Sequence, residues 1–279
     1  MSAAPPQGHA LHVVYGGTFD PVHLGHLSIA EGARQALLGA GLAVQRFDWL
    51  PNADPPHRSA PGANAGHRVA MLWLALSGHP EFGIDLREMR RGGASYMADT
   101  LAELRAEIGP QAPLLLMMGA DAWAGFERWQ RWREIPALAH LLVVDRPDAP
   151  GAMPSAALDA LARQQRLPLA GLSSKPAGGI VGLSLPPHPA SASAVRAALA
   201  EAEAHRSQPD RSQASRAEPS RFEPNSVEPS RVESRQSAPG QSEPSRAEAL
   251  LAPAVAAYIR RNGLYRPESP SAESAVVGA

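Results

Sequence analysis

Apolar positions along the chain follow two rhythms in alternation. Short unbroken runs at Leu11 to Tyr15, Val44 to Leu50, Phe82 to Leu86, Pro113 to Met118, His140 to Val144 and Ile180 to Leu185 read as buried strands. Between them, Leu24 to Leu38 places Leu24, Leu27, Ala30 and Leu37 near helical spacing. Helical patterns recur at Ala65 to Leu76 and Tyr96 to Ile108, with shorter pieces around Ala122 to Ala137. Strands alternating with helices of about 10 to 15 residues predict an α/β fold, a parallel sheet covered on both faces. Ligands of such sheets gather beyond the carboxyl ends of the strands.

That pattern stops at Glu203. Through Glu248 the only aromatic is Phe222, "EPSR" recurs at Glu218, Glu228 and Glu243, and apolar surface is too sparse to offset the entropy of ordering. The expectation is a low-complexity disordered insertion over 203–248, between a main domain at 11–202 and its terminal helix within 249–266. In that last stretch, Pro253 suits a first helical position, Val255, Tyr258 and Ile259 share a face, and Asn262-Gly263 ends the helix. Residues 1–10 and 267–279 read as flexible.

Composition narrows the function classes. Across 279 residues, 26 basic and 27 acidic side chains give a net charge of −1, so nothing global recruits nucleic acid or an anionic membrane. No cysteine is present, which excludes disulfides, thiolate metal sites and a cysteine nucleophile. The longest apolar run, Val69 to Leu76, is too short to span a bilayer, and "MSAAPPQGHA" lacks the features of a signal peptide, so a cytoplasmic location is expected. Assembly into a homo-oligomer is left open. Lys175 is the only lysine, so anion sites fall to arginine, the planar bidentate choice for phosphate.

The densest chemistry lies in "VVYGGTFDPVHLGHL", Val13 to Leu27, at the turn from the first strand to the first helix. Gly16 and Gly17 lack Cβ atoms, so the backbone there is free to turn tightly and to bring N–H groups close to a bulky anion. The helix that follows aims its positive end at the same spot, and His23 and His26, three residues apart, share one face if the turn is helical. From spacing alone, a plain glycine turn with a solvated histidine pair, or two metal ligands, stands as an equal alternative. The string is neither the lysine-bearing phosphate loop nor the GxGxxG fingerprint.

The whole string resembles the GGTFDPxHxGH signature of the HxGH nucleotidyltransferase superfamily, and later segments resemble its bacterial nicotinate-nucleotide adenylyltransferases. "LPNADPPHR" (Leu50 to Arg58) is similar to the family's P-x-x-x-P-P-H-K loop, with Arg58 in place of lysine. "SYMADTL" (Ser95 to Leu101) is similar to S-Y-T-x-x-T-L, with Met97 in place of threonine. "MMGADAWAGFERWQRWREI" (Met117 to Ile135) is similar to the G-x-D segment and sets Trp129 at the family's base-contacting tryptophan. "ASASAVR" (Ala190 to Arg196) is similar to the second phosphate motif, I-S-[ST]-T-x-x-R, with Ser191 and Arg196 in register.

The resemblance implies a Rossmann-like, doubly wound sheet and transfer of an adenylyl group from ATP to nicotinate mononucleotide. It makes His23, His26 and Arg196 catalytic, and gives ATP to Gly16, Gly17, Thr18, Phe19, His23, His26, Gly119, Asp121, Asp145, Arg146, Ser191 and Arg196. It gives the acceptor to His57, Arg58, Tyr96, Thr100 and Trp129. Magnesium (Mg2+) is expected to arrive with ATP, since no acidic cluster stands out, and Asp20 to buttress the turn. Each match also has a structural reading: Trp129 and Trp132 as core aromatics, Ser95 and Ser191 as helix caps, Asp121 as a cap after Gly119. Rivals are an adenylyltransferase for nicotinamide mononucleotide or pantetheine phosphate, and a nucleotide-binding module without turnover.

Overall fold

The computed structural model describes residues 9–53, 62–145, 153–207 and 246–266, with backbone only over 203–207. Among these, six strands form one sheet: β1 (Leu11–Gly17), β2 (Val44–Pro51), β3 (Gly83–Ile84), β4 (Leu114–Gly119), β5 (His140–Asp145) and β6 (Ile180–Ser184). Their order is β3-β2-β1-β4-β5-β6, and every neighbouring pair is parallel. The helices are α1 (Leu24–Gly39), α2 (Ala65–Leu76), α3 (Arg87–Arg91), α4 (Met97–Ile108), α5 (Ala120–Ala124), α6 (Ile135–Leu138), α7 (Ala156–Gln164), α8 (Ala192–Ser207) and α9 (Pro253–Asn262). This is the doubly wound, Rossmann-like arrangement.

Side chains along each strand alternate between two cores. Val13, Tyr15, Leu115, Met117, Leu142 and Val144 face one core, which also takes Leu27, Met71, Val195 and Ile259 from helices. Val14, Leu114, Leu116, Met118 and Leu141 face the other, with Leu101, Phe126, Ile135 and Leu158. A parallel sheet covered on both faces has no polar side, which is why its strands read as continuous apolar runs.

β3 is shorter than the Phe82-to-Leu86 run suggests. A β-carbon at Gly83 would clash with Asp48 Oδ1, and Asp85 turns the chain by accepting the Arg87 amide at 2.9 Å. The boundary placed at Glu203 is also corrected. α8 runs on to Ser207, and at the other end Ala247 is buried ahead of a 3-10 turn at Glu248–Leu250. Residues 1–8, 208–245 and 267–279, on which the flexible-segment expectations rest, lie outside the described residues.

α9 follows its sequence signals closely. Pro253 occupies the first turn, and Gly263, with φ +60°, closes the helix in the left-handed region. Val255 and Ile259 are buried against the first core, each contributing about 1.5–3 kcal/mol. Tyr258 lies 2.9 Å from His67 Nδ1 on α2, which docks α9 there.

Candidate active site

β1 lies between β2 and β4, and the chain leaves β1 toward β2 but leaves β4 toward β5, in the opposite direction, so a crevice opens beyond the carboxyl ends of β1 and β4. Gly16 and Gly17 end β1, Gly119 ends β4, Asp145 ends β5, and the N-terminus of α1 stands over the crevice. The expectation that the glycines make a tight turn is corrected. Both are strand residues paired with Leu50 and Pro51, and neither has a positive φ. They are small because side chains fill the space beside them. A β-carbon at Gly17 would lie 2.7 Å from the Phe19 ring, and one at Gly16 would lie 3.0 Å from the Met97 methyl. The left-handed residue of the turn is Phe19, with φ +50°. Its ring is buried against Tyr15, Trp49 and His26, so only its backbone is placed to meet a ligand.

His23 caps α1. Its Nδ1 accepts the His26 amide, and His26 Nδ1 accepts the His23 amide, both at 3.3 Å. This reciprocal capping box stacks the rings with centroids 3.7 Å apart. With Nδ1 accepting on both rings, each neutral imidazole carries its hydrogen on Nε2. The helix end therefore carries two Nε2–H groups on stacked rings beside its own positive dipole, a suitable seat for phosphate oxygens.

α8 brings the second set of groups to the same turn. Ser191 Oγ accepts the Ala194 amide at 3.1 Å and so caps the helix, the structural role that competes with phosphate contact. Arg196, one turn in, donates to the carbonyl oxygen of Asp20 at 2.6 Å. Gly25 permits this closeness, since a β-carbon there would lie 2.5 Å from the carbonyl oxygen of Ala190.

The Asp20 carboxylate is buried and fully engaged. Oδ2 accepts the Gly62 amide at 2.7 Å, and Oδ1 accepts the Ala63 amide at 3.1 Å and the Tyr265 hydroxyl at 2.6 Å. Burial, together with the Asp20 carboxylate, pushes the Tyr265 phenol far up, so it stays a donor. Arg68, also buried, donates to the carbonyl oxygens of Thr18 and Ala53 at 2.8 and 2.7 Å and to Asn52 Oδ1 at 3.3 Å. It clasps the carboxyl ends of β1 and β2 together.

The acceptor-side residues divide. Thr100 was expected at the ligand, but its side chain is fully buried. Its hydroxyl donates to Glu88 at 2.8 Å and receives Arg91 at 2.7 Å, and its amide bonds to the Tyr96 carbonyl. Thr100 is thus a structural residue, bonded to a Glu88 carboxyl whose pKa burial raises. Tyr96, half-buried, precedes α4; the Asp99 and Thr100 amides bond back to its carbonyl, which leaves those of Met97 and Ala98 at the helix start. Trp129 is half-buried against Phe126, ring centroids 5.3 Å apart. Arg131, with φ +57°, donates to Asp99 and Glu134 at 2.6 Å and ties the Trp129 turn to the first turn of α4. Trp132 has the Arg133 guanidinium over its ring at 4.5 Å. Asp121 and Asp145 are exposed, and Asp145 ends a strand two places from β1, roughly 10 Å across the sheet. His57, Arg58 and Arg146 lie outside the described residues.

Comparison with known proteins gives this arrangement a family. The cytidylyltransferase-like family matches residues 14–198. A probable nicotinate-nucleotide adenylyltransferase of Marinobacter nauticus is 42% identical over 196 residues, 70% of this chain and 88% of its own length. One of Stenotrophomonas maltophilia is 38% identical over 272 residues, 94% of this chain and 99% of its own. The chain belongs to the nicotinate-nucleotide adenylyltransferases of the cytidylyltransferase-like family. The solved nicotinic acid mononucleotide adenylyltransferase of Plasmodium falciparum, complexed with NaAD, shares the fold at TM-score 0.56 and 12% identity, covering 92% of this chain and 98% of its own.

Within this adenylyltransferase fold, five residues that shape the site escaped the sequence assignment of site residues: Gly25, Arg68, and the three partners of the Asp20 carboxylate, Gly62, Ala63 and Tyr265. Gly25 stands inside the quoted motif and was legible as the glycine between two histidines. Arg68 and Tyr265 carry no local signal, because their partners are backbone groups or an acid far away in the chain. Among the described residues no helix is long and apolar enough to cross a membrane.

Proposed function

We propose that this chain transfers the adenylyl group of ATP to the phosphate of nicotinate mononucleotide, giving nicotinate adenine dinucleotide and pyrophosphate, a step of NAD biosynthesis. The observation that carries the reading is the stacked His23–His26 pair at the N-terminus of α1, with Arg196 donating into the same turn. An acceptor phosphate oxygen bonds to the α-phosphorus in line, the bond to the β-phosphate bridging oxygen breaks, and pyrophosphate leaves. No protein nucleophile takes part, so positioning and charge stabilisation supply the catalysis.

The Nε2–H groups of His23 and His26 meet oxygens of the transferring phosphoryl, while Arg196 and the amides at the start of α8 meet the departing pyrophosphate. Gly17 and Thr18 line the path with backbone. Trp129 stacks on the pyridine ring, and the first amides of α4, beside Tyr96, meet the nicotinate carboxylate. Adenine lies toward Gly119, Asp121 and Asp145.

The carboxylate of Asp20 is engaged by three donors, and among the described residues no group of three or more His, Cys, Asp or Glu stands together. In this reading the magnesium ion travels on the triphosphate. Such an ion supplies charge neutralisation on the phosphates. Incubation with ATP and nicotinate mononucleotide should release pyrophosphate and dinucleotide in equal amounts. An α-thiophosphate of defined chirality in ATP should emerge inverted. Absence of dinucleotide refutes the activity, and retention of configuration refutes the single displacement.

A further inference from the structure

Tyr265 stands 245 positions from Asp20 in the chain, yet its hydroxyl meets the Asp20 carboxylate at 2.6 Å. It is reached only after α9, and its backbone is left-handed, with φ +61°. A tyrosine in that region is strained and persists only where its surroundings over-determine it. Here they do: the ring edge packs 3.1 Å from where a β-carbon at Gly62 would sit, and the half-buried phenol donates to Asp20.

Asp20 works in two directions. Its carboxylate binds Gly62, Ala63 and Tyr265, while its carbonyl oxygen receives Arg196. Both belong to one residue, so the three anchors of the carboxylate restrain the stretch of backbone that carries the carbonyl. Arg196 and Arg68 are also close enough to act electrostatically on the Tyr265 hydroxyl. If that hydroxyl is lost, Asp20 Oδ1 keeps only the Ala63 amide, and a buried carboxylate short of a donor attracts the nearest guanidinium. Arg196 is on the neighbouring carbonyl of the same residue.

We propose that Tyr265 is a positioning residue for adenylyl transfer: by donating to Asp20 it keeps Arg196 on the Asp20 carbonyl and turned toward the triphosphate. The segment that follows the long insertion thereby becomes part of the phosphate site. This rests on the function proposed above for Arg196, but not on the identity of the acceptor.

Tyr265→Phe in the full chain tests it, with parental turnover on nicotinate mononucleotide established first. ATP affinity is also measured by calorimetry without acceptor, so the test stands even if another acceptor proves to be the substrate. The expected result is a loss of about tenfold to a hundredfold in kcat/KM for ATP and weaker ATP binding, with acceptor KM within about twofold of parental. The Arg196 side-chain 15N resonance, assigned with Arg196→Lys, should move. Tyr265→His, which keeps a ring donor and serves if the phenylalanine variant fails to fold, should recover most of the loss. ATP parameters unchanged in Tyr265→Phe, equal losses for ATP and acceptor with a lowered melt, or a histidine variant as impaired as the phenylalanine one would each overturn the proposal.

Discussion

Replacing Gly25 with alanine should cut kcat about a hundredfold without removing a reacting group. The added β-carbon would lie 2.5 Å from the Ala190 carbonyl oxygen and 3.0 Å from His23 Nδ1, where ordinary contact begins at 3.4 Å. The Ala190 backbone must therefore withdraw by roughly 0.9 Å, the gap between the first and last of those distances. Ala190 leads directly into Ser191 and α8, so the withdrawal carries Arg196 with it. A misplacement of about 1 Å costs on the order of a hundredfold in rate. Crowding costs about 1–3 kcal/mol, offset by up to about 1 kcal/mol for alanine over glycine within a helix. At about 2–4 °C per kcal/mol, the melting temperature should fall by less than about 10 °C. Pyrophosphate release and a thermal melt read the two effects. Gly39→Ala, at the far end of α1 with nothing within 4 Å, is the control and should leave kcat unchanged. A folded Gly25→Ala protein with kcat within about threefold of parental would refute the claim that the contact between α1 and the lead-in to α8 sets the site.

His23→Ala and His26→Ala should each lower kcat by at least about a hundredfold in steady-state kinetics, with modest change in acceptor KM, as for groups acting mainly in the transition state. Trp129→Ala should cost roughly 1–3 kcal/mol of nicotinate mononucleotide binding in titration, while Trp132→Ala, whose ring Arg133 covers, should not. Thr100→Val should lower stability by about 1–3 kcal/mol in a denaturant melt and leave acceptor KM unchanged, because its bonds run to Glu88 and Arg91. Replacing 208–245 by a short Gly-Ser linker should leave turnover close to parental, since loop length costs only about 0.6 kcal/mol per doubling. Ending the chain at Ser207 should abolish turnover, because Val255, Ile259 and the Tyr265 bond go with it.

The sheet was legible in the sequence because its central strands β1, β4 and β5 are mostly buried on both sides, so their apolar runs survive the detail of packing. α2 is predicted to its first and last residue, since Asn64 caps it by accepting the His67 amide at 3.0 Å. α3 is missing from the expectations because five residues rich in arginine carry no apolar period, and α7 because among its buried residues only Leu158 marks a face. The histidine pair was legible from spacing, but its geometry was not: the capping box that sets both tautomers depends on an extended His23 backbone, with φ −144°. The glycine argument failed for a comparable reason. Gly16 and Gly17 answer to Met97 and Phe19, contacts that exist only once α4 and the turn have packed.

The central claim is that the stacked histidines, Arg196 and the Trp129 turn together adenylate the phosphate of a nicotinate nucleotide. The most direct test is pyrophosphate release by the full chain with ATP and three acceptors in parallel: nicotinate mononucleotide, nicotinamide mononucleotide and pantetheine phosphate. The account predicts the highest kcat/KM for nicotinate mononucleotide. A higher value for either other acceptor, or no release with any of them, would contradict it.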